Sequence, residues 1–335
     1  MPIESPLPDT RLLGNCAQWN IGRAHQFRKR HGQKALPVLH CIRSLWLLHT
    51  PPFNELVDKR TVVRQCLWKR MTVRFDFTPI RNQETSVKNS GNTILITGST
   101  SGIGLGLALR LQQAGNRVIV SGRKKALLDQ ITAEHPGLDA IEIDVADADS
   151  VVQASRVAAE RYPGLNVVIN NAGIMPSENV FKPESLRAAE EAIAINLLGT
   201  IRMTYAFLPQ LAGNTDSVII NVSSALGFVP FPAAMSYSAS KAAVHSFTEG
   251  LRVQLADSNV QVIELVPPGV RTKLYGQGND EHAMPLDEFL DEALALLHAE
   301  PTPKEIVVER AKFLRDAAAN GSYDEMLGML SAVTF

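Results

Sequence analysis

Thr97-Gly98-Ser99-Thr100-Ser101-Gly102-Ile103-Gly104 separates an apolar run, Asn92 to Ile96, from a helix-like run, Leu105 to Leu111. The pattern predicts a strand, a tight turn with three glycines, and a helix. Glycine has no Cβ, so the backbone can turn sharply there or come close to a ligand, and the first amides of the new helix then face any anion that lies in front of them. A dinucleotide pyrophosphate suits such a turn. The spacing is G-x-x-x-G-x-G rather than G-x-G-x-x-G, and a glycine string alone equally suits a bare strand-to-helix turn. Residues farther along the chain decide between the two.

Outward from this stretch, strands alternate with amphipathic helices. Strands are expected at Thr93–Thr97, Arg117–Ser121, Ala140–Asp144, Asn166–Asn170, Ser217–Val222, Gln261–Val266 and Ile306–Glu309. Helices are expected near Ile103–Ala114, Lys125–Glu134, Ser150–Arg161, Leu186–Leu211, Tyr237–Leu255 and Leu286–His298. Val- and Ile-rich strands without alternation are those of a sheet covered on both faces. The expected fold class is α/β, a Rossmann-type doubly wound seven-stranded parallel sheet over residues 91–335. A chain that is 45% hydrophobic has the material for such a core.

Upstream the composition changes. Residues 1–90 hold 15 Lys+Arg against 6 Asp+Glu, whereas the rest hold 18 against 28. The first part is punctuated by prolines and shows no sustained period, so it is read as a basic, poorly structured N-terminal extension with a short helix near Asn54 to Trp68. Its basic residues are scattered rather than striped, which argues against nucleic-acid binding. Translation from Met71 is an alternative origin for the composition break. Glu4, Asp9 and the early prolines oppose a mitochondrial presequence, so a cytoplasmic location is expected. Cys16, Cys41 and Cys66 form no C-x-x-C pair, so neither a zinc site nor a disulfide framework is indicated. No run of about 18 apolar residues is apparent, Arg43 interrupting the best candidate, and no membrane partner is expected.

Ligands of a doubly wound sheet bind beyond the carboxyl ends of the strands. The second strand is followed by Ser121-Gly122-Arg123 with no acidic residue for a ribose hydroxyl; the planar fork of Arg123 suits a 2′-phosphate, favouring NADP over NAD. Asp144 ends the third strand and can take an adenine amino group or cap the next turn. Asn170-Asn171-Ala172-Gly173 ends the fourth, its amides suited to structure or to ligand. Ser223-Ser224 ends the fifth. Tyr237 and Lys241 then lie four apart on one helical face. A phenol with a pKa of about 10 is a poor base, and a neighbouring ammonium makes it a better one. No His cluster has ligand spacing, so no metal is expected, and His245 is read as packing or surface.

T-G-x-x-x-G-I-G, N-N-A-G, a serine thirteen residues before a tyrosine, and Y-x-x-x-K, in this order, resemble the short-chain dehydrogenase/reductase family over about residues 92–275. The resemblance implies NAD(P)-dependent hydride transfer, at the B face of the nicotinamide, with a small-molecule carbonyl or alcohol. It implies Ser224 as the group bonding the substrate oxygen, Tyr237 as general acid/base, Lys241 as the ribose-holding lysine and Asn196 as the anchor of a water path. The cofactor-binding set it implies is Gly98, Ser99, Ser101, Gly102, Ile103, Gly104, Arg123, Asp144, Asn171, Tyr237, Lys241, Val270 and Thr272. The segment Pro267 to Thr272 resembles the family's P-G-x-x-x-T, with Pro268 where glycine is usual. A homodimer or homotetramer pairing through the two long helices is likewise implied. The C-terminal part departs from the common pattern and resembles a poorly characterised oxidoreductase subgroup. Leu274–Pro285 is the expected lid, with helix Leu286–His298 beside it. Met175, Phe181, Phe228, Phe231 and Met235 are pocket or core. A catalytically silent nucleotide-binding regulator and another reaction of the same fold, such as epimerisation, stand as alternatives.

Overall fold

A computed structural model describes residues 86–332, side chains at 277–279 excepted. These residues belong to one compact unit. The readings of the basic extension before residue 86 and of its short helix lie outside the described residues.

Seven parallel strands form one sheet: β1 (Thr93–Ile96), β2 (Arg117–Gly122), β3 (Asp139–Glu142), β4 (Leu165–Asn170), β5 (Ser217–Val222), β6 (Val260–Val266) and β7 (Glu305–Val307), in the order β3-β2-β1-β4-β5-β6-β7. This is the expected doubly wound sheet. The chain reverses its direction of travel between β1 and β4, opening a crevice at their carboxyl ends.

The helices are α1 (Gly102–Gln113), α2 (Lys125–Glu134), α3 (Ala148–Arg161), α4 (Ser185–Ala192), α5 (Gly199–Gly213), α6 (Met235–Gln254), α7 (Leu286–Leu297), α8 (Lys312–Arg315), α9 (Ala317–Asn320) and α10 (Tyr323–Ser331). They cover both faces, so successive strand residues enter different cores. From β1, Ile94 and Ile96 pack with Leu107 and Leu111 of α1 and Phe289 of α7. Leu95 packs oppositely, with Val151 of α3 and Met203, Phe207 and Leu211 of α5. Each such side chain contributes about 2 kcal/mol by leaving water.

Two expectations need correction. Leu186–Leu211 is not one regular helix: a π-helical turn, Ile193–Leu198, joins α4 to α5. The run Ser185–Gly213 also has the length and composition of a membrane span, which the sequence reading missed; its apolar residues Met203, Phe207 and Leu211 instead fill the core. In addition, α7 packs along α1. A Cβ on Gly106 would run into Leu290 Cδ1, and Arg110 pairs with Asp287 at 2.8 Å and Asp291 at 3.0 Å. Gly106, just past the glycine turn, thus leaves room for the Leu290 side chain between the two helices.

Candidate active site

The glycine turn is held from behind. Thr97 Oγ1 accepts the amides of Asn171 and Ala172, each at 3.0 Å, while Asn171 Nδ2 donates to the carbonyls of Thr97 at 2.9 Å and Gly98 at 3.2 Å. Gly98 has φ +63°, and a Cβ there would sit 2.7 Å from Ala172 Cα. A Cβ on Gly104 would lie 2.6 Å from the Gly98 carbonyl. The turn therefore brings bare backbone to the crevice. At the start of α1, the hydroxyl of the N-cap residue Ser101 caps no amide and no acidic residue lies in the first turn. The positive end of the helix is left facing the crevice.

Along this turn runs a groove of about 1200 Å³, mouth included, lined by Gly98, Ser101, Gly102, Ile103, Gly104, Arg123, Asp144, Asn171 and Thr272. Ser99 does not line it. That side chain is fully buried, its Oγ donating to the Ile96 carbonyl at 2.7 Å and accepting the Ser121 amide at 2.8 Å. Asp144 Oδ1 accepts the Ala146 amide at 2.9 Å, as a cap of the turn would, and the residue lines the groove. Arg123 is half exposed, with Glu191 3.8 Å away.

The groove adjoins a second cleft of about 610 Å³, and the two share Ile103, Asn171, Gly173, Thr272 and Leu274. Ser224, Tyr237, Lys241 and Val270 line the second cleft. Ser224 begins the short 3₁₀ turn Ala225–Gly227, accepting the Leu226 amide at 3.2 Å, and lines the same cleft as Tyr237. Lys241 Nζ donates to the Val222 carbonyl at 2.7 Å and lies 5.8 Å from the centre of the Tyr237 ring. Val270 bridges to Met284, which fixes the Pro267–Thr272 segment over the cleft.

Burial dominates the electrostatics. It pushes the Tyr237 phenol above its ordinary value, the Ser224 hydrogen bond opposing. The lowering expected from Lys241 does not enter among the causes of this shift. Burial likewise pushes the Lys241 ammonium down to about 8, against the opposing pull of Glu264. Tyr237 is accordingly held in its proton-donor form at neutral pH.

Asn196 sits fully buried in the π turn. Its Oδ1 accepts the Ile174 amide at 2.9 Å, and its Nδ2 donates to the Ile174 carbonyl at 2.9 Å and to Ser240 Oγ at 3.0 Å. Thr200 Oγ1 donates to its backbone carbonyl at 2.8 Å. One amide thus ties the end of β4 to the tyrosine helix. Asn196→Leu is expected to cost about 3 kcal/mol, because it leaves buried backbone groups unpaired, and chemical denaturation would measure it.

Of the apolar candidates, Met175 lines the cleft and Phe231 clusters with it and Tyr237. Phe181 is exposed, Met235 is partly exposed, and Phe228 stacks against His245 and Arg315 instead. At the expected lid, Leu274–Asn279 forms 3₁₀ turns in which Tyr275 stands edge-on to Phe231 at 5.7 Å. The sequence reading missed Thr97, Ser240 and Glu264. A carboxylate inside the apolar strand Val260–Val266 was the available signal for the last.

Residues 92–283 match the family model of the short chain dehydrogenases. The chain belongs to this family. It is 36% identical over 251 residues to the uncharacterised oxidoreductase DltE of Bacillus subtilis, covering 73% of this chain and 98% of that protein. A short-chain dehydrogenase from Burkholderia cenocepacia, solved in complex with NADP, superposes with a TM-score of 0.63 at 30% identity, over 72% of this chain and 98% of that one. The 3-ketoacyl-(acyl-carrier-protein) reductase of Brucella melitensis, solved with NADH, gives a TM-score of 0.59 at 25% identity, over 67% and 100%. As a short-chain dehydrogenase, the protein is an oxidoreductase of the NAD(P)-dependent dehydrogenase/reductase type.

Proposed function

We propose that this short-chain dehydrogenase uses NADP to interconvert a small or medium-sized carbonyl and its alcohol, with Ser224, Tyr237, Lys241 and Asn196 as its working residues. The observation that carries the reading is the continuity of the glycine-turn groove with the cleft holding Ser224, Tyr237 and Lys241. A dinucleotide fits these residues. A Cβ at Gly98 would collide with Ala172 and one at Gly104 with the Gly98 carbonyl, so the turn closes this tightly only with glycine there, and the uncapped start of α1 suits a pyrophosphate. Once bound, the nicotinamide supplies or accepts the hydride. Ser224 and Tyr237 orient the substrate oxygen. Tyr237 gives it a proton in reduction and takes one back in oxidation. Lys241 holds positive charge beside that proton, and Asn196 keeps the tyrosine helix in register with β4.

In this reading Arg123 selects the 2′-phosphate, in keeping with the NADP held by the Burkholderia relative. Arg123→Ala should weaken NADPH binding by about 10- to 100-fold, the worth of one charge-assisted pair, and leave NADH nearly unaffected. Fluorescence titration with each cofactor measures the difference. The reading also takes residues 91–335 as the catalytic domain, 1–90 as a basic extension, and the cytoplasm as the location. A homodimer or homotetramer is supported by apolar residues exposed along the long helices, such as Leu186, Tyr205 and Val253. The deciding experiment follows nicotinamide absorbance with NADPH and NADH over steroid, aliphatic, aromatic and polyketide-like carbonyls. Tight NADPH binding without turnover of any of them would sink the oxidoreductase role while sparing the nucleotide site.

A further inference from the structure

Tyr237 stands in the first turn of α6, where a helix is held least firmly. The amides of that turn have no carbonyl one turn back to bond, so a side chain just before the helix ordinarily supplies an acceptor. Here the N-cap position is Ala234, which has none to offer. The acceptor comes instead from a residue 58 positions earlier in the chain. Glu178 Oε1 accepts the Ser236 amide at 2.9 Å, and Oε2 accepts the Ser236 hydroxyl at 2.8 Å. The Glu178 amide also donates to the Ala233 carbonyl at 2.8 Å. A carboxylate at this end of a helix has the sign that the helix dipole favours.

Ser236 and Ser240 lie on either side of Tyr237 in the chain, and each is held from outside the helix. Ser240 Oγ donates to the Tyr237 carbonyl at 2.6 Å and accepts Asn196 Nδ2 at 3.0 Å. Asn196 in turn bonds both the amide and the carbonyl of Ile174. Ile174 and Glu178 belong to one segment, the one that leaves β4. That segment is therefore fastened to the tyrosine helix twice, through Asn196 beyond Tyr237 and through Glu178 before it. Ser238 Oγ accepts the Phe231 amide at 3.0 Å, but this bond stays within the approach to α6 and ties nothing to β4. Met175, between the two anchor points, packs against Tyr237 and lines the cleft.

We propose that Glu178 is a positioning residue for Tyr237: it caps the tyrosine helix from the segment after β4 and, with Asn196 on the other side, fixes the phenol beside Met175 in the cleft. The consequence for turnover rests on the oxidoreductase reading; the cap itself does not. The test is an NMR spectrum of protein isotopically labelled at tyrosine Cζ, with the Tyr237 signal assigned by its loss in Tyr237→Phe. Glu178→Ala should shift or broaden that signal and leave those of Tyr162, after α3, and Tyr205, on α5, in place. Glu178→Gln keeps an oxygen for the Ser236 amide and should return the signal most of the way. On a carbonyl that the wild type accepts, Glu178→Ala should lower kcat by about tenfold or more with NADPH binding within about twofold, and Glu178→Gln should recover most of the loss. An unmoved Tyr237 signal overturns the proposal, as does a lowered unfolding midpoint with kcat unchanged. Should Glu178→Ala fold poorly, Glu178→Asp takes its place: one methylene shorter, it falls short of spanning both Ser236 groups, so the signal should still move, and an unmoved one would equally overturn the proposal. If the wild type turns over no carbonyl, the oxidoreductase reading fails while the Tyr237 signal still decides the role of Glu178.

Discussion

Tyr237→Phe is expected to lower kcat by about 10³-fold or more while leaving NADPH binding within about twofold. The substitution removes one oxygen. The ring sits at 6% exposure against Met175 and Phe231, and phenylalanine keeps both that packing and the 5.8 Å approach of Lys241. Ser224 retains its bond from the Leu226 amide and still reaches a substrate oxygen. What disappears is the group that gives or takes the proton. Steady-state turnover with any carbonyl accepted by the wild type, beside a cofactor titration, separates the two effects; retained turnover would remove Tyr237 from its role. The direction of pH dependence follows from the same group. Because burial raises the phenol, reduction should hold through neutral pH and decline as pH rises, whereas oxidation, which needs the phenolate, should gain.

Gly98→Ala should abolish measurable NADPH binding and lower stability by about 2–4 kcal/mol. Two independent costs meet at this residue. Its φ of +63° penalises any side chain, and the new Cβ would lie 2.7 Å from Ala172 Cα, a backbone atom that cannot swing aside. Relief requires the ends of β1 and β4 to part where the crevice opens, which breaks the Asn171 bond to the Gly98 carbonyl. Gly276→Ala is the matched control. Its φ is +70° but no atom lies within 4 Å of the added Cβ, so it should show only the backbone penalty of about 1 kcal/mol. Urea unfolding and NADPH titration of both variants test the argument. Equal losses would mean that the close contact at Ala172 is immaterial.

Much of this architecture is legible in residue order because buried parallel strands leave a strong trace. Ser217–Val222 was bounded correctly from its apolar run, and Lys125–Glu134 from its helical period. Tyr237 and Lys241 were legible because a spacing of four fixes a shared face whatever the surroundings. Neighbours in a turn are harder. Ser99 and Ser101 are the same residue type in one loop, yet backbone direction buries the first and exposes the second. The packing of α7 on α1 was not legible because amphipathicity announces that a face is covered without saying by what; Leu290 over Gly106 needed coordinates. Glu264 stayed hidden because its meaning depends on register with Asn221 and Glu305, distant in the chain.

The π turn at Ile193–Leu198 winds one surplus residue into an otherwise regular rod. Each residue of an α-helix advances the rod by about 100°. Excising a single residue from this segment would smooth the backbone hydrogen bonding and, by the same stroke, swing Asn196 off Ile174 and Ser240 or twist the whole of α5 out of its bed under β4 and β5. Chain length at this spot therefore works like the tooth count of a gear: amino-acid types around it can drift, but an insertion or deletion of one cannot pass without disengaging the tyrosine helix from the sheet.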